Sequence, residues 1–129
     1  MYYFSKQSES HLITCDENLQ RLMRTVIQVF DISIIRGYRD EETQNEAYRQ
    51  GFSTKQYPHS KHNVNPSLAI DIAPYPIDWK DNERFYYLAG FVGMAAYLLN
   101  IPIRWGGDWD RDYDLHDQTL YDFGHFELM

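Results

Sequence analysis

A single cysteine, Cys15, stands among 129 residues, so no disulfide can form within the chain, and the composition suits a reducing compartment. Basic residues are also scarce. Twelve Lys and Arg face nineteen Asp and Glu, for a net charge of −7. That balance argues against nucleic acid as a ligand and against attachment to an anionic membrane surface. No stretch approaches the ~18 apolar residues of a membrane span, and Met1 to Gln7 lacks the basic start and apolar segment of a secretory signal. The expectation is a protein that accumulates in the cytoplasm. No Pro/Gly/Ser-rich linker, repeat or low-complexity run divides the chain, so residues 1–129 are expected to form one domain. With 43% hydrophobic and 16% aromatic residues, one core is well supplied.

Apolar periodicity gives a coarse map. Leu19, Leu22, Met23, Val26 and Phe30 recur at helical spacing after Thr14-x-x-Glu17, which predicts a helix over 16–30 opened by a capping box. A strand over 32–36 and a polar helix over 41–50, stopped at Gly51, follow. Alternating apolar residues from Leu68 to Pro74 predict a strand that turns Asp71 toward one face. Pro74 to Trp79 is a proline-fixed loop, and 81–99 is the longest helix, with Phe85, Leu88, Ala89, Val92, Ala96 and Leu99 on its apolar face. Strands at 103–105 and 125–128 complete a small α+β domain, with the last strand closing the sheet. Cys15, at the start of the first helix, is expected to pack rather than react.

His62, Asp71 and His125 are the residues that carry chemistry. Two histidines and a carboxylate can hold a catalytic zinc and leave its fourth position to water. Asp122 precedes His125 by three residues and is placed to act as a general base. His59, His11 and His116 are rival ligands on composition alone.

Four ordered segments turn this set into a resemblance that spans most of the chain. Ser60-Lys61-His62 with Ala69-Ile70-Asp71, and Asp122-Phe123-Gly124-His125-Phe126-Glu127, are similar to the S-x-H…A-x-D and (D/E)-x-x-H elements of the zinc peptidoglycan peptidases, the family of D-alanyl-D-alanine carboxypeptidases and phage L-alanyl-D-glutamate endopeptidases. Gly37 to Gln44 resembles that family's G-x-R…Q element, and Arg104-Trp105-Gly106-Gly107-Asp108-Trp109 its R-(F/W)-G-x-D-W stretch. The chain departs from the commoner H-x-x-G-x-A-x-D pattern by two extra residues between His62 and Asp71, with Ser67 near the expected Gly. The turn-rich Asn63-Val64-Asn65-Pro66-Ser67 is expected to absorb them as a surface bulge. The family pattern also favours His62 over its neighbour His59 as the ligand.

The resemblance implies a single antiparallel sheet with flanking helices, as in the hedgehog/DD-peptidase fold, and the metal site on one sheet face. It implies zinc on His62, Asp71 and His125, Asp122 as proton acceptor and donor, Arg39 on the developing oxyanion, and Gln44 as an assisting hydrogen-bond donor. Ser60, Tyr75 and Trp109 are expected to bind substrate, with Trp79 and Trp105 as further groove candidates. Glu127 is either the partner of the His125 ring or an ordinary edge-strand carboxylate. The implied substrate is the peptidoglycan stem peptide, cut between L-Ala and D-Glu. Removal of terminal D-Ala, and a catalytically silent zinc-containing wall-binding module, are the alternatives. An Asp in place of the commoner Glu base tilts the reading to the endolysin branch. A monomer is expected, released to the wall by a separate membrane-permeabilising protein. Asp108, Asp110, Asp112 and Asp114 alternate in an acidic run that extends to Asp117 and offers oxygen ligands to a regulatory Ca²⁺, though without the Gly and Glu of an EF-hand loop.

Overall fold

The computed structural model describes residues 1–116 and 121–129. The elements are α1 (Lys6–Leu12), α2 (Glu17–Val26), β1 (Ile32–Arg36), α3 (Glu41–Arg49), a single 3₁₀ turn (Lys61–Asn63), β2 (Ala69–Pro74), α4 (Asn82–Leu99), β3 (Ile103–Gly106) and β4 (Asp122–Leu128). The strands form one antiparallel sheet in the order β1-β2-β4-β3. β4 is therefore an inner strand, and the expectation that the last strand closes the sheet is corrected: β1 and β3 are the edges.

The pleat separates two functions. Ile70 and Ile72 of β2 and Phe126 of β4 are fully buried in the core with Leu88 and Val92 of α4. Each such side chain contributes roughly 1.5–3 kcal/mol through burial. Alternate residues on the same strands, Asp71, His125 and Glu127, point the other way. The hydrophobic face thus fixes the register that brings the polar face together. Asp71 pairs directly with His125, and Ala69 with Glu127.

Helix boundaries follow the capping chemistry. α1 was not anticipated. Its sequence, Lys-Gln-Ser-Glu-Ser-His-Leu, has no apolar period, but Ser5 caps it by accepting from the Ser8 N–H at 3.1 Å. The Ser8 hydroxyl in turn accepts from the Ile34 N–H at 2.9 Å, tying α1 to β1. Asp16, rather than Thr14, caps α2, accepting from the Asn18 N–H at 2.8 Å. The Thr14 hydroxyl instead donates to the His11 carbonyl at 2.6 Å and accepts from the Tyr38 N–H at 2.9 Å. α2 stops at Val26, four residues short of the expected end, and Phe30 packs against the rings of Tyr87 and Phe91. α4 ends at Asn100, whose left-handed backbone (φ 58°) terminates the helix. None of the described helices is long and apolar enough to cross a membrane.

The segment between His62 and Asp71 is a bulge only in part. Val64, Asn65 and Pro66 are exposed, but Ser67 is fully buried, with its N–H donating to Thr14 at 2.9 Å and its carbonyl accepting from Asp16 at 2.8 Å. The extra residues are thereby anchored to the α1–α2 junction. Cys15 lies in the same junction, and burial pushes its thiol up to about 12, so it packs rather than reacts.

Candidate functional site

Three elements converge on one cluster. His62 sits on the 3₁₀ turn, where the Ser60 hydroxyl accepts from the His62 N–H at 3.1 Å and the Asn63 side chain accepts from the Ser60 N–H at 3.0 Å. Asp71 and His125 come from adjacent strands. His62 Nε2 is 3.2 Å and His125 Nδ1 3.0 Å from Asp71 Oδ1, and the two nitrogens lie 3.3 Å apart. His59 and His116 are exposed and His11 lies elsewhere, so none of the rival histidines joins this group.

The outer nitrogens decide the chemistry of the inner ones. His62 Nδ1 is 2.7 Å from the Gly37 carbonyl, which can only accept, so that nitrogen carries the proton and Nε2 presents a lone pair. His125 Nε2 is 2.9 Å from Glu127 Oε1. Burial raises the Glu127 carboxyl, but its bonds to His125 and Arg104 outweigh that and hold it down at about 2. Arg104 at 2.8 Å and Lys61 at 3.3 Å bracket the other oxygen. Glu127 is therefore an acceptor that leaves the His125 Nδ1 lone pair inward, and it is the partner of the ring rather than an edge-strand carboxylate. Three lone pairs at 3.0–3.3 Å repel unless a cation lies among them. Bonds of ~2.0–2.1 Å in tetrahedral geometry would set ligand atoms about 3.3 Å apart, so the donor set fits a zinc-sized ion.

Without a cation, a proton takes that place. Burial lowers the His125 imidazole, but hydrogen bonds to Asp71 and Glu127 lift it to about 9. Burial raises Asp71, yet the His62 and His125 charges and hydrogen bonds carry its carboxyl well below the usual range.

Asp122 reaches the same environment through a break in strand pairing. Trp105 pairs with Phe126 and the next residue, Gly106, with Asp122, so one step on β3 spans four on β4. That bulge brings two residues at odd spacing toward one site. Asp122 stands at the exposed start of β4, and partial desolvation of its carboxyl together with the Asp71 charge raises it, against the opposing pull of His125, His62 and Arg39. A carboxylate shifted up is a stronger base.

Arg39 is held by Gln44. The Gln44 side chain is fully buried, its Oε1 accepting from Arg39 Nη1 at 3.0 Å and its amide donating to the Ser53 hydroxyl at 2.9 Å and the Lys55 carbonyl at 2.6 Å. Both amide protons are thus committed, and Gln44 orients the guanidinium instead of donating to substrate. Arg39 Nη2 lies 3.9 Å from Asp71 Oδ2, and the buried Nε has no partner among the described residues. The guanidinium thus stands beside the donor cluster, where its charge can offset negative charge developing on a carbonyl oxygen.

Of the residues expected to contact substrate, Trp109 borders the cluster, its ring 5.5 Å from that of His125 and beneath the Arg104 guanidinium. Ser60 is committed to capping His62. Tyr75 lies exposed on the loop after β2, Trp79 stacks on Phe85, and Trp105 donates to the Phe123 carbonyl. In the acidic run, Asp108, Asp110 and Asp112 bring carboxylate oxygens within 4.8 Å of one another. Asp114 is not in that group and accepts from the His116 N–H, while Asp117 lies outside the described residues. The Gly37 carbonyl was missed in the sequence, where a backbone acceptor leaves no residue-type signal.

An α+β domain in which two imidazoles and a carboxylate that could hold a metal converge near a raised carboxyl and a half-buried guanidinium defines the class of small peptidase-like domains. Comparison with known proteins agrees. The model of the phage L-alanyl-D-glutamate peptidase family matches residues 1–129. The L-alanyl-D-glutamate peptidase of Escherichia phage T5 is 32% identical over 99% of this chain and 98% of its own length. The crystal structure of the Serratia marcescens L-Ala D-Glu endopeptidase ChiX superposes with a TM-score of 0.78 at 26% identity, covering 98% of this chain and 90% of that one. The chain belongs to the phage L-alanyl-D-glutamate peptidase family, and it is a peptidase.

Proposed function

We propose that this domain hydrolyses the L-alanyl-D-glutamate bond of peptidoglycan stem peptides, with zinc held by His62, Asp71 and His125. The observation that carries the reading is the convergence of three donor atoms with both ring tautomers fixed from outside. Zinc there would supply Lewis acidity and lower the pKa of a water to near neutrality. Asp122 takes the proton as the water attacks the peptide carbon and returns it to the departing amine nitrogen. Arg39, aimed by Gln44, donates to the carbonyl oxygen as charge builds on it. Trp109 offers an aromatic wall to the stem peptide at the His125 side. The sequence reading of a phage-type lysin, made in the cytoplasm and released by a membrane-permeabilising partner, is consistent with this substrate.

Mass spectrometry of purified peptidoglycan digested with zinc-loaded protein tests the reading, beside a chelated control and Asp122→Asn. The expected products carry new amino termini on D-Glu with intact glycan, and Asp122→Asn retains metal while losing about 10²–10⁴-fold in rate. Released D-Ala would indicate a carboxypeptidase instead. No metal-dependent product, with zinc still bound, would indicate a silent wall-binding module. A calcium role for Asp108, Asp110 and Asp112 predicts a calcium-dependent rate in metal-buffered medium. A flat titration removes it.

A further inference from the structure

We infer that α4 is a self-association surface whose occupant is a second copy of this chain, packed antiparallel and leaving both metal sites outward. After a polar first turn, Asn82 to Arg84, α4 carries no charged residue from Phe85 to Leu99. Phe85, Leu88, Val92 and Ala96 meet the core. The opposite face is only flanked, by Phe30 and Phe123: Tyr97 is 76%, Leu98 70%, Tyr87 65% and Met94 58% exposed, with the less exposed Tyr86 and Phe91 beside them. Aromatic side chains carry roughly 150–250 Å² each, so these six expose on the order of 700 Å². Monomers seldom leave patches above about 300–600 Å², whereas one side of a standard interface takes about 800 Å².

The spacing of this face points to itself. From Phe85 onward its exposed positions, 86, 87, 90, 91, 93, 94, 97 and 98, are symmetric about Val92. In an antiparallel pair centred there, 86 meets 98, 87 meets 97, 90 meets 94 and 91 meets 93 of the second copy. This reciprocity is what a two-fold interface requires. Large then meets small at the centre, because Gly90 faces Met94 of the second copy and Gly93 faces its Phe91. Nothing within the chain calls for either glycine, since a Cβ built at each meets nothing within 4 Å. Glycine is a poor helix former, and two in mid-helix fit a site where another backbone approaches closely. A second copy suits the face better than a membrane, because a chain of net charge −7 is repelled by anionic lipid. The metal ligands occupy the far side of the sheet from α4, so a particle built this way carries two accessible sites and can engage a polymeric substrate bivalently.

Sedimentation of the full chain from micromolar to near-millimolar concentration should show twice the 15.4 kDa chain mass emerging with concentration. Met94→Glu should weaken the association by about a hundredfold or more, as the added charge must be buried, while activity per chain on a soluble stem peptide stays unchanged. Gly90→Ala and Gly93→Ala separate this from a folding defect. Each should raise the melting temperature of the monomer, since helix propensity improves into open space, and weaken the dimer. A single-chain mass at every concentration overturns the proposal, as does a dimer that all three substitutions leave unchanged. Flotation with phosphatidylcholine vesicles by a protein that does not self-associate would likewise overturn it in favour of a lipid surface.

Discussion

His62 and His125 present lone pairs to the same point, yet different materials hold the two rings. On the His62 side the support is main chain: the Gly37 carbonyl fixes the ring, and the Arg39 N–H donates to the His62 carbonyl at 2.8 Å. On the His125 side it is charge: Glu127 receives the ring nitrogen and is itself held by Arg104 and Lys61. A backbone carbonyl cannot titrate and cannot be mutated away, whereas a carboxylate can do both. The difference teaches that fold damage should strike one half of the site and pH or charge substitution the other.

The largest expected effect is on pH. Below about 9, His125 binds a proton that a metal ion must displace, so zinc affinity should climb about tenfold per pH unit as pH rises toward about 9 and level off above it. Competition titrations with a chelator at stepped pH would read this, and a flat profile would break the comparison. The metal-free chain should behave in the opposite sense. His125 is raised above its ordinary 6.5, so its contribution to stability is full below that value and is lost as pH rises through about 9. Glu127 is lowered from 4.5, so its contribution is full above 4.5 and is lost as pH falls through about 2. Thermal melts of chelated protein should therefore peak between these limits.

Substitution of the two supports comes next. Glu127→Ala strips the ring of its acceptor and should cost about 10–100-fold in zinc affinity, with the fold retained. Gly37→Ala is the counterpart on the main-chain side. A Cβ there would lie 2.2 Å from the Thr14 hydroxyl and 2.4 Å from the His11 carbonyl, so the 37–39 turn must shift and take the His62 acceptor with it. A loss of about 1–3 kcal/mol in folding stability is expected by chemical denaturation, with weakened metal binding as its consequence. Equal stability losses from both variants would show that the two sides are not built differently.

Sequence alone reached the three residues that converge and most of the elements, and the reasons it fell short are local. The apolar periods of α2, β2 and α4 are imposed by the core they face, so they are readable. α1 is seven residues held by a cap and a Ser8–Ile34 bond, with no stripe to read. The inner placement of β4 is a matter of pairing order, which periodicity does not encode. Gln44 was read as a donor because residue type shows what a side chain offers. Which partners consume that capacity depends on Ser53 and Lys55, brought in by the fold.

Glu127→Gln should give the smallest effect and the sharpest test. The amide oxygen can still accept from His125 Nε2, so the tautomer survives, and the loss in zinc affinity at alkaline pH should stay under about tenfold. What changes is charge. Glu127 is among the groups that lift the His125 imidazole, so its neutral replacement should move the bend in the affinity profile to lower pH and narrow the range over which proton and metal compete. Glutamine therefore separates geometry from charge in a way alanine cannot. A bend that stays in place while affinity falls would assign Glu127 to positioning alone, and a bend that moves without loss would assign it to setting the proton affinity of His125.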